Sequence, residues 1–327
     1  MQQEKRTIRF GICLAAAALM LRLLCGSILA PVLDVVMTPA LFKTILFLQT
    51  GRIPMTATQA SAEPPALEPQ STPAAQAVFS AADQALVAIN SYCGYDTDTA
   101  ALLQTPLKWD LTDGGPKVLI LHSHGSESYQ KTENYQETTQ YRTLDTQYNV
   151  VSLGDRLAQL LEDGGVEVIH DRTLHDYPSY TSAYSHARKS IQEYLKQFPD
   201  ICLVLDLHRD ALQDSTGNQI GYTVQTEAGE AAKVMLVVGT NQSGLSHPNW
   251  RENLALAVKL HAQLQKQTPG LCRPISFRSQ RFNQDLSTGA LIVEVGAAGN
   301  TRQEALNSID LLAQGILSLA WGAEPVY

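Results

Sequence analysis

Two histidines and a glutamate crowd into His122-Ser123-His124-Gly125-Ser126-Glu127, just after the apolar run Val118-Leu119-Ile120-Leu121. A third histidine, His208, closes a second apolar run over 201–207, and Glu294 lies inside Leu291-Ile292-Val293-Glu294-Val295-Gly296. These are ligand-type and proton-transfer side chains, each delivered by a stretch that reads as a buried strand. His124 and Glu127 form an H-x-x-E pair, compact enough for a turn to bring an imidazole and a carboxylate to one ion. Zinc in hydrolases takes three nitrogen or oxygen ligands from the protein and leaves a fourth position to water. His124, Glu127 and His208 meet that need as metal ligands. The ion would bring the pKa of its water near neutrality and polarise an amide carbonyl. Glu294 would take the water's proton and pass it to the leaving amine. A carboxylate in so apolar a run is costly to bury without a metal, a partner or a raised pKa.

Period-two geometry on an extended chain places His122 beside His124 and Asp206 beside His208. Asp206 is therefore expected to orient His208. His122 has three open roles: metal ligand, proton relay, or catalytic donor to the oxyanion. Arg209 is expected to pair with Asp210 or another acid rather than with a substrate carboxylate. His170, His175, His186 and His261 read as structural or solvated, and Trp250 as core. Ser126 and Ser128 lack the strand-turn-helix G-x-S-x-G setting of a serine nucleophile.

The elements that must position these residues begin after Pro116. Strands are expected at 117–121, 166–169, 201–207, 234–238 and 290–295, and helices at 150–163, 184–197, 249–267 and 303–319. In the first helix Leu153, Leu157, Leu160 and Leu161 form an apolar face, Asn149 is the expected N-cap, and Gly164-Gly165 ends it. Alternation of this kind predicts an α/β fold, a mostly parallel twisted sheet flanked by helices, with the site at the C-terminal ends of the strands. Residues 116–323 are the expected catalytic domain.

Upstream the character differs. Lys5, Arg6 and Arg9 precede an uncharged run over 10–21, and the apolar character continues past Arg22 to about residue 30. About 20 apolar residues span a bilayer, and flanking basic residues set the N-terminus in the cytoplasm. Residues 1–31 are thus expected to be a single-pass membrane anchor and 32–50 a juxtamembrane segment, with the remainder extracytoplasmic. Residues 51–115, rich in Ala, Pro, Ser, Thr and Gln, read as a flexible tether, with only a weak helix or docking pattern over 80–105. The formal net charge of -8 and the lack of a basic stripe argue against nucleic acid as a partner. Five widely spaced cysteines form no metal or redox motif.

The chain resembles the stage II sporulation protein P family. The likeness rests on the segment from His122 to Tyr129, Asn149-Val150 through Gly154, Asp206-Leu207-His208-Arg209-Asp210, Val238-Gly239-Thr240-Asn241, His247-Pro248-Asn249-Trp250, Arg281-Phe282-Asn283-Gln284 and Val293-Glu294-Val295-Gly296. That family is similar to the zinc-dependent N-acetylmuramoyl-L-alanine amidases. By their pattern His124 and His208 match metal histidines and Glu294 the catalytic carboxylate. The general amidases take their middle ligand from the start of the following helix, where this chain has Asn149, so Glu127 is the substitute. The resemblance implies cleavage of the amide between muramic acid and the stem peptide, and of peptide cross-links, during spore engulfment. It also implies work beside sporulation proteins D and M at the septal membrane. Two rival readings are a zinc carboxypeptidase or deacetylase, and a non-catalytic peptidoglycan-binding scaffold.

Overall fold

The computed structural model describes residues 78–111 and 114–321. The expected anchor and juxtamembrane segment lie outside the described residues. Among the described residues no helix is long and apolar enough to cross a membrane.

Seven strands form the main sheet: β1 (Ile89–Ser91), β2 (Val118–Leu121), β3 (Val168–His170), β4 (Leu203–Asp210), β7 (Val234–Val238), β8 (Ile275–Phe277) and β9 (Ala290–Ala297). Their order is β1-β8-β7-β9-β4-β2-β3. All neighbours run parallel except β7 and β9, which are antiparallel, so the sheet is mixed. A hairpin of β5 (Thr223–Thr226) and β6 (Gly229–Ala232) stands apart as a second, two-stranded sheet. The five α-helices among the described residues are α1 (Thr99–Gln104), α2 (Val151–Asp163), α3 (Ala183–Gln197), α4 (Trp250–Gln267) and α5 (Arg302–Trp321). Four of them fall within a residue or two of the sequence expectation. Asn149 does serve the start of α2, its Oδ1 accepting from Val151 N at 3.0 Å, although Val150 occupies the cap position itself.

Strand alternation divides the sheet into two unlike faces. Val118 and Ile120 of β2, Leu203, Leu205 and Leu207 of β4, and Leu291, Val293 and Val295 of β9 face the large core, which α2, α4 and α5 complete. Leu119 and Leu121 of β2 and Val204 of β4 face a smaller cluster with Ala187 and Ile191 of α3. One face is therefore sealed by three helices. The other carries α3 and the connection leading into β9, and it is on this face that His208 and Glu294 project.

Of the expected tether over 51–115, residues 51–77 lie outside the described residues, while 78–111 pack onto the domain. β1 extends the sheet beside β8, and Phe79, Leu103 and Leu111 join the main core. Lys259 Nζ of α4 donates to Leu103 O, Tyr95 stacks on Trp250 with ring centroids 4.7 Å apart, and Tyr95 Oη donates to Asn241 at 2.8 Å. Three well-separated anchors hold this segment, and averaged composition does not reveal so sparse a pattern. Cys93, Cys202 and Cys272 are free.

Candidate active site

His208 and Glu294 are direct neighbours across the β4–β9 register, which places their side chains on one face about 5 Å apart at the backbone. The turn after β2 brings the other two residues. His124 meets His208 edge-on with centroids 5.4 Å apart. Glu127 Oε2 lies 3.4 Å from His208 Nδ1, and Nε2 of the same ring lies 2.9 Å from Asp206 Oδ1 without hydrogen-bond alignment. Asp206 is itself fixed by Ser123, whose N and Oγ donate to it at 2.7 and 2.6 Å. His124, Glu127, His208 and Glu294 are thus brought together, and Asp206 stands behind His208 as expected.

His122 is not brought to this cluster. β2 ends at Leu121, so His122 continues the Val118–Ile120 face and turns into the large core, while the following turn redirects His124 to the opposite face. Its Nδ1 is 3.1 Å from Leu207 O and its Nε2 2.8 Å from His170 Nε2; His170 in turn meets Asp155 at 3.1 Å. Both ring nitrogens are occupied, which corrects the catalytic expectation. Gly154 of α2 makes room for the pair, since a Cβ there would lie 2.3 Å from His170 Nε2 and 2.7 Å from His122 Nε2. By the same parity Arg209 faces away from the centre. It donates to Ser128 O and Tyr141 O, both at 2.9 Å, and lies 3.7 Å from Glu127, while Asp210 pairs with Arg273.

The electrostatics separate the two glutamates. Burial opposes ionisation of Glu127, but its hydrogen bond and charge interaction with His208, and the charges of Arg209 and His124, hold it down to about 2. Burial dominates at Glu294 and lifts it to about 8, with repulsion from Glu127 and Asp210 adding to the effect. Burial disfavours the His208 cation, yet Asp206 and Glu127 raise its pKa well above the usual histidine value. Burial is the main cause of the lowered pKa of His124. Three buried polar atoms at the centre, His124 Nδ1, His208 Nε2 and Glu294 Oε2, have no hydrogen-bond partner. Among the described residues no three His, Cys, Asp or Glu side chains close into a formed metal-ligand group.

Aromatic residues that sequence reading passed over wall the centre. Tyr180 stacks on His124 at 4.5 Å, and Tyr184 stacks on His208 at 6.4 Å while meeting His124 edge-on at 5.5 Å. Isolated tyrosines in a loop and a helix start carry no motif that could have marked them. A cleft opens on each side. The first, of about 480 Å³, is lined by Thr138, Arg142, Asp176, Tyr177 and Tyr180 among others. The second, of about 430 Å³, is lined by residues that include Tyr184, Arg188, Leu245, Arg281, Phe282 and Asn283.

The second cleft is built on a strained turn. Phe282 and Asn283 have φ of 56° and 71°, a left-handed conformation that costs roughly 1–2 kcal/mol for a residue with a Cβ. Side chains over-determine it. Asn283 Nδ2 donates to Tyr184 O at 2.8 Å, and Gln284 spans Gly239 N and Val237 O at 2.7 and 2.8 Å. Asn249 and Asn253 hold the carbonyls of Asp285 and Gln284 at 3.0 and 2.9 Å. Gly239 is required by the approach, because a Cβ would lie 2.2 Å from Gln280 O. Three separate sequence segments, around Gly239, Asn249 and Gln284, thus converge on one structural task.

Together these features define an α/β domain with a mixed sheet, whose central strands gather two histidines and two unlike glutamates between two clefts. The chain belongs to the stage II sporulation protein P (SpoIIP) family, whose model matches residues 55–317. It is 28% identical over 230 residues to stage II sporulation protein P of Bacillus subtilis (strain 168), an alignment covering 66% of this chain and 54% of that protein. The chain therefore spans about half the length of the curated relative it matches. Among solved structures it is similar to the N-acetylmuramoyl-L-alanine amidase AmiC2 of Nostoc punctiforme, at 12% identity, 64% and 97% coverage and a TM-score of 0.38. It is also similar to the N-acetylmuramoyl-L-alanine amidase of Clostridium difficile 630, at 16% identity, 63% and 95% coverage and a TM-score of 0.38.

Proposed function

We propose that the protein is a zinc-dependent peptidoglycan hydrolase that cleaves the amide between N-acetylmuramic acid and the L-alanine of the stem peptide, and peptide cross-links as a second activity. The observation that carries this reading is the convergence of His124, Glu127, His208 and Glu294: His124 Nδ1 and Glu294 Oε2 are buried without a partner, and His208 turns Nδ1 toward Glu127 Oε2 at 3.4 Å while Asp206 lies 2.9 Å from its Nε2. Two imidazoles and a carboxylate are a donor set that suits zinc. His124, Glu127 and His208 would hold the ion, with Asp206 orienting His208 from behind. Bound zinc supplies Lewis-acid polarisation of the scissile carbonyl and a more acidic water.

The remaining work falls to the chain itself. Glu294, pushed up to about 8, is poised to exchange a proton near neutral pH: it accepts one from the attacking water and donates it to the departing L-alanine nitrogen. Tyr180 and Tyr184 cover the histidines and exclude bulk water from that transfer. The full protein is placed on the outer face of the septal membrane through residues 1–31, acting in engulfment beside sporulation proteins D and M. A single anchor would confine the enzyme near the wall and raise its effective concentration there.

The test is release of intact stem peptides from purified peptidoglycan, with zinc content measured in parallel. The wild type should release them, and Glu294→Gln and His208→Ala should each lose about 10²-fold or more. Zinc should be retained in Glu294→Gln and lost in His208→Ala. Wall binding without any release would replace this reading with a scaffold. Release of single terminal residues or of acetate alone would make it a carboxypeptidase or a deacetylase.

A further inference from the structure

The two clefts flanking the centre differ in charge. In the first, Arg142 is met by two carboxylates, Glu127 at 3.2 Å and Asp176 at 3.0 Å. In the second, two guanidiniums share one carboxylate: Arg188 holds Asp285 with both Nη atoms at 2.8 Å, and Arg281 Nε lies 3.2 Å from the same Asp285. Arg281 spends Nη1 on Ser246 O at 3.3 Å and leaves Nη2 without a partner among the described residues. Among the residues that line them, the first cleft balances Arg142 with Asp176, whereas the second carries both Arg188 and Arg281 and so an excess of positive charge. Arg281 is also presented by the turn whose left-handed residues Phe282 and Asn283 are pinned from α3 and α4, so its backbone is fixed before any ligand arrives. A strained, over-determined backbone beside a site points to a positioning task.

Building on the hydrolase reading, we infer that the second cleft is a carboxylate-binding subsite that takes the acidic stem-peptide side of the substrate, with Arg281 as its specificity-determining residue. The guanidinium is planar and matches a carboxylate in geometry as well as charge. Asp285 anchors the two arginines without neutralising both, which leaves one charge for the ligand. The first cleft, whose Arg142 is already paired with Asp176, offers that peptide no free cation and receives the uncharged glycan side, where Tyr177 and Tyr180 offer exposed rings. Substrate polarity across the centre is thus set by charge: glycan over Tyr180, peptide toward Arg281.

The experiment uses the full chain and two ligands, muramoyl-L-alanyl-D-glutamate with free carboxylates and its diamide. Binding is measured in a Glu294→Gln background, so that the amide stays intact, and kcat/KM is measured in otherwise wild-type protein. The acid form should be preferred by about tenfold or more, as a charge-assisted contact predicts. Adding Arg281→Gln should bring that preference to within about threefold of unity and raise KM for the acid more than it lowers kcat. Lys196→Gln, which removes one exposed positive charge at the end of α3, should leave the preference intact. Equal handling of the two ligands by the parent protein, no binding of either, or an equal loss for both on Arg281→Gln would overturn the subsite. If peptides are still released from the wall in those cases, only the subsite is wrong; if none are released, the hydrolase reading has failed as well.

Discussion

Gly154 shows how one hydrogen atom in place of a methyl group decides a local arrangement. It lies in the first turn of α2, inside the helix, where alanine is ordinarily favoured by up to about 1 kcal/mol. Here the added Cβ would press on the His122–His170 contact from 2.3 and 2.7 Å. Gly154→Ala is expected to destabilise the fold by on the order of 2 kcal/mol in urea unfolding, the sign opposite to helix propensity. Combining it with His122→Ala should recover part of the loss, because the two positions share a contact. Full additivity of the two losses would show that the clash is not where the structure puts it. The sequence made the convergence of His124 and His208 legible, since each closes an apolar run that forms a buried strand. It misassigned His122, because a period-two argument holds only while the chain stays extended, and β2 stops at Leu121.

At the level of elements, the segment before Pro116 is the instructive case. β1 covers the edge of β8, and α1 sets Leu103 against α4. Burial of Phe79 and Leu103 contributes about 1.5–3 kcal/mol each, a large share of a stability that is typically about 5–15 kcal/mol. A chain beginning at residue 116 should therefore unfold at markedly lower urea concentration than one beginning at residue 78, and should aggregate through the bared β8 edge. Matching midpoints would show that 78–111 adds nothing to the domain. Helices α2 to α5 were legible because each repeats apolar residues at helical spacing over 13 residues or more. β1 and β8 have three residues each, too few for any periodicity to register.

For the whole molecule, the proposed metal site links ligand binding to folding. Zinc that binds the native state and not the unfolded chain adds about 2.7 kcal/mol at a hundredfold excess over its Kd. Thermal unfolding of the metal-free protein should thus shift upward on adding zinc. Glu294→Gln should keep that shift, His208→Ala should lose it, and a chelator should reverse it. An unchanged melting temperature in the wild type would remove the zinc assignment while leaving the geometry of the centre as described. The shift would also separate His122 from the ligands, since a residue facing the opposite side of the sheet should not abolish it.

The sequence by itself determined the residue types of the centre, the order of the main strands and helices along the chain, and the family to which the chain belongs. These are properties of local composition and spacing, and apolar runs ending in His or Glu carry them without reference to distant residues. Tertiary structure decided what depends on pairing. The antiparallel β7–β9 contact makes the sheet mixed, and the β4–β9 register sets Glu294 beside His208. The end of β2 sends His122 and His124 to opposite faces, and three distant segments lock the turn that presents Arg281. Register, strand ends and side-chain parity are fixed by contacts between residues far apart in the chain, and no single stretch of sequence encodes them.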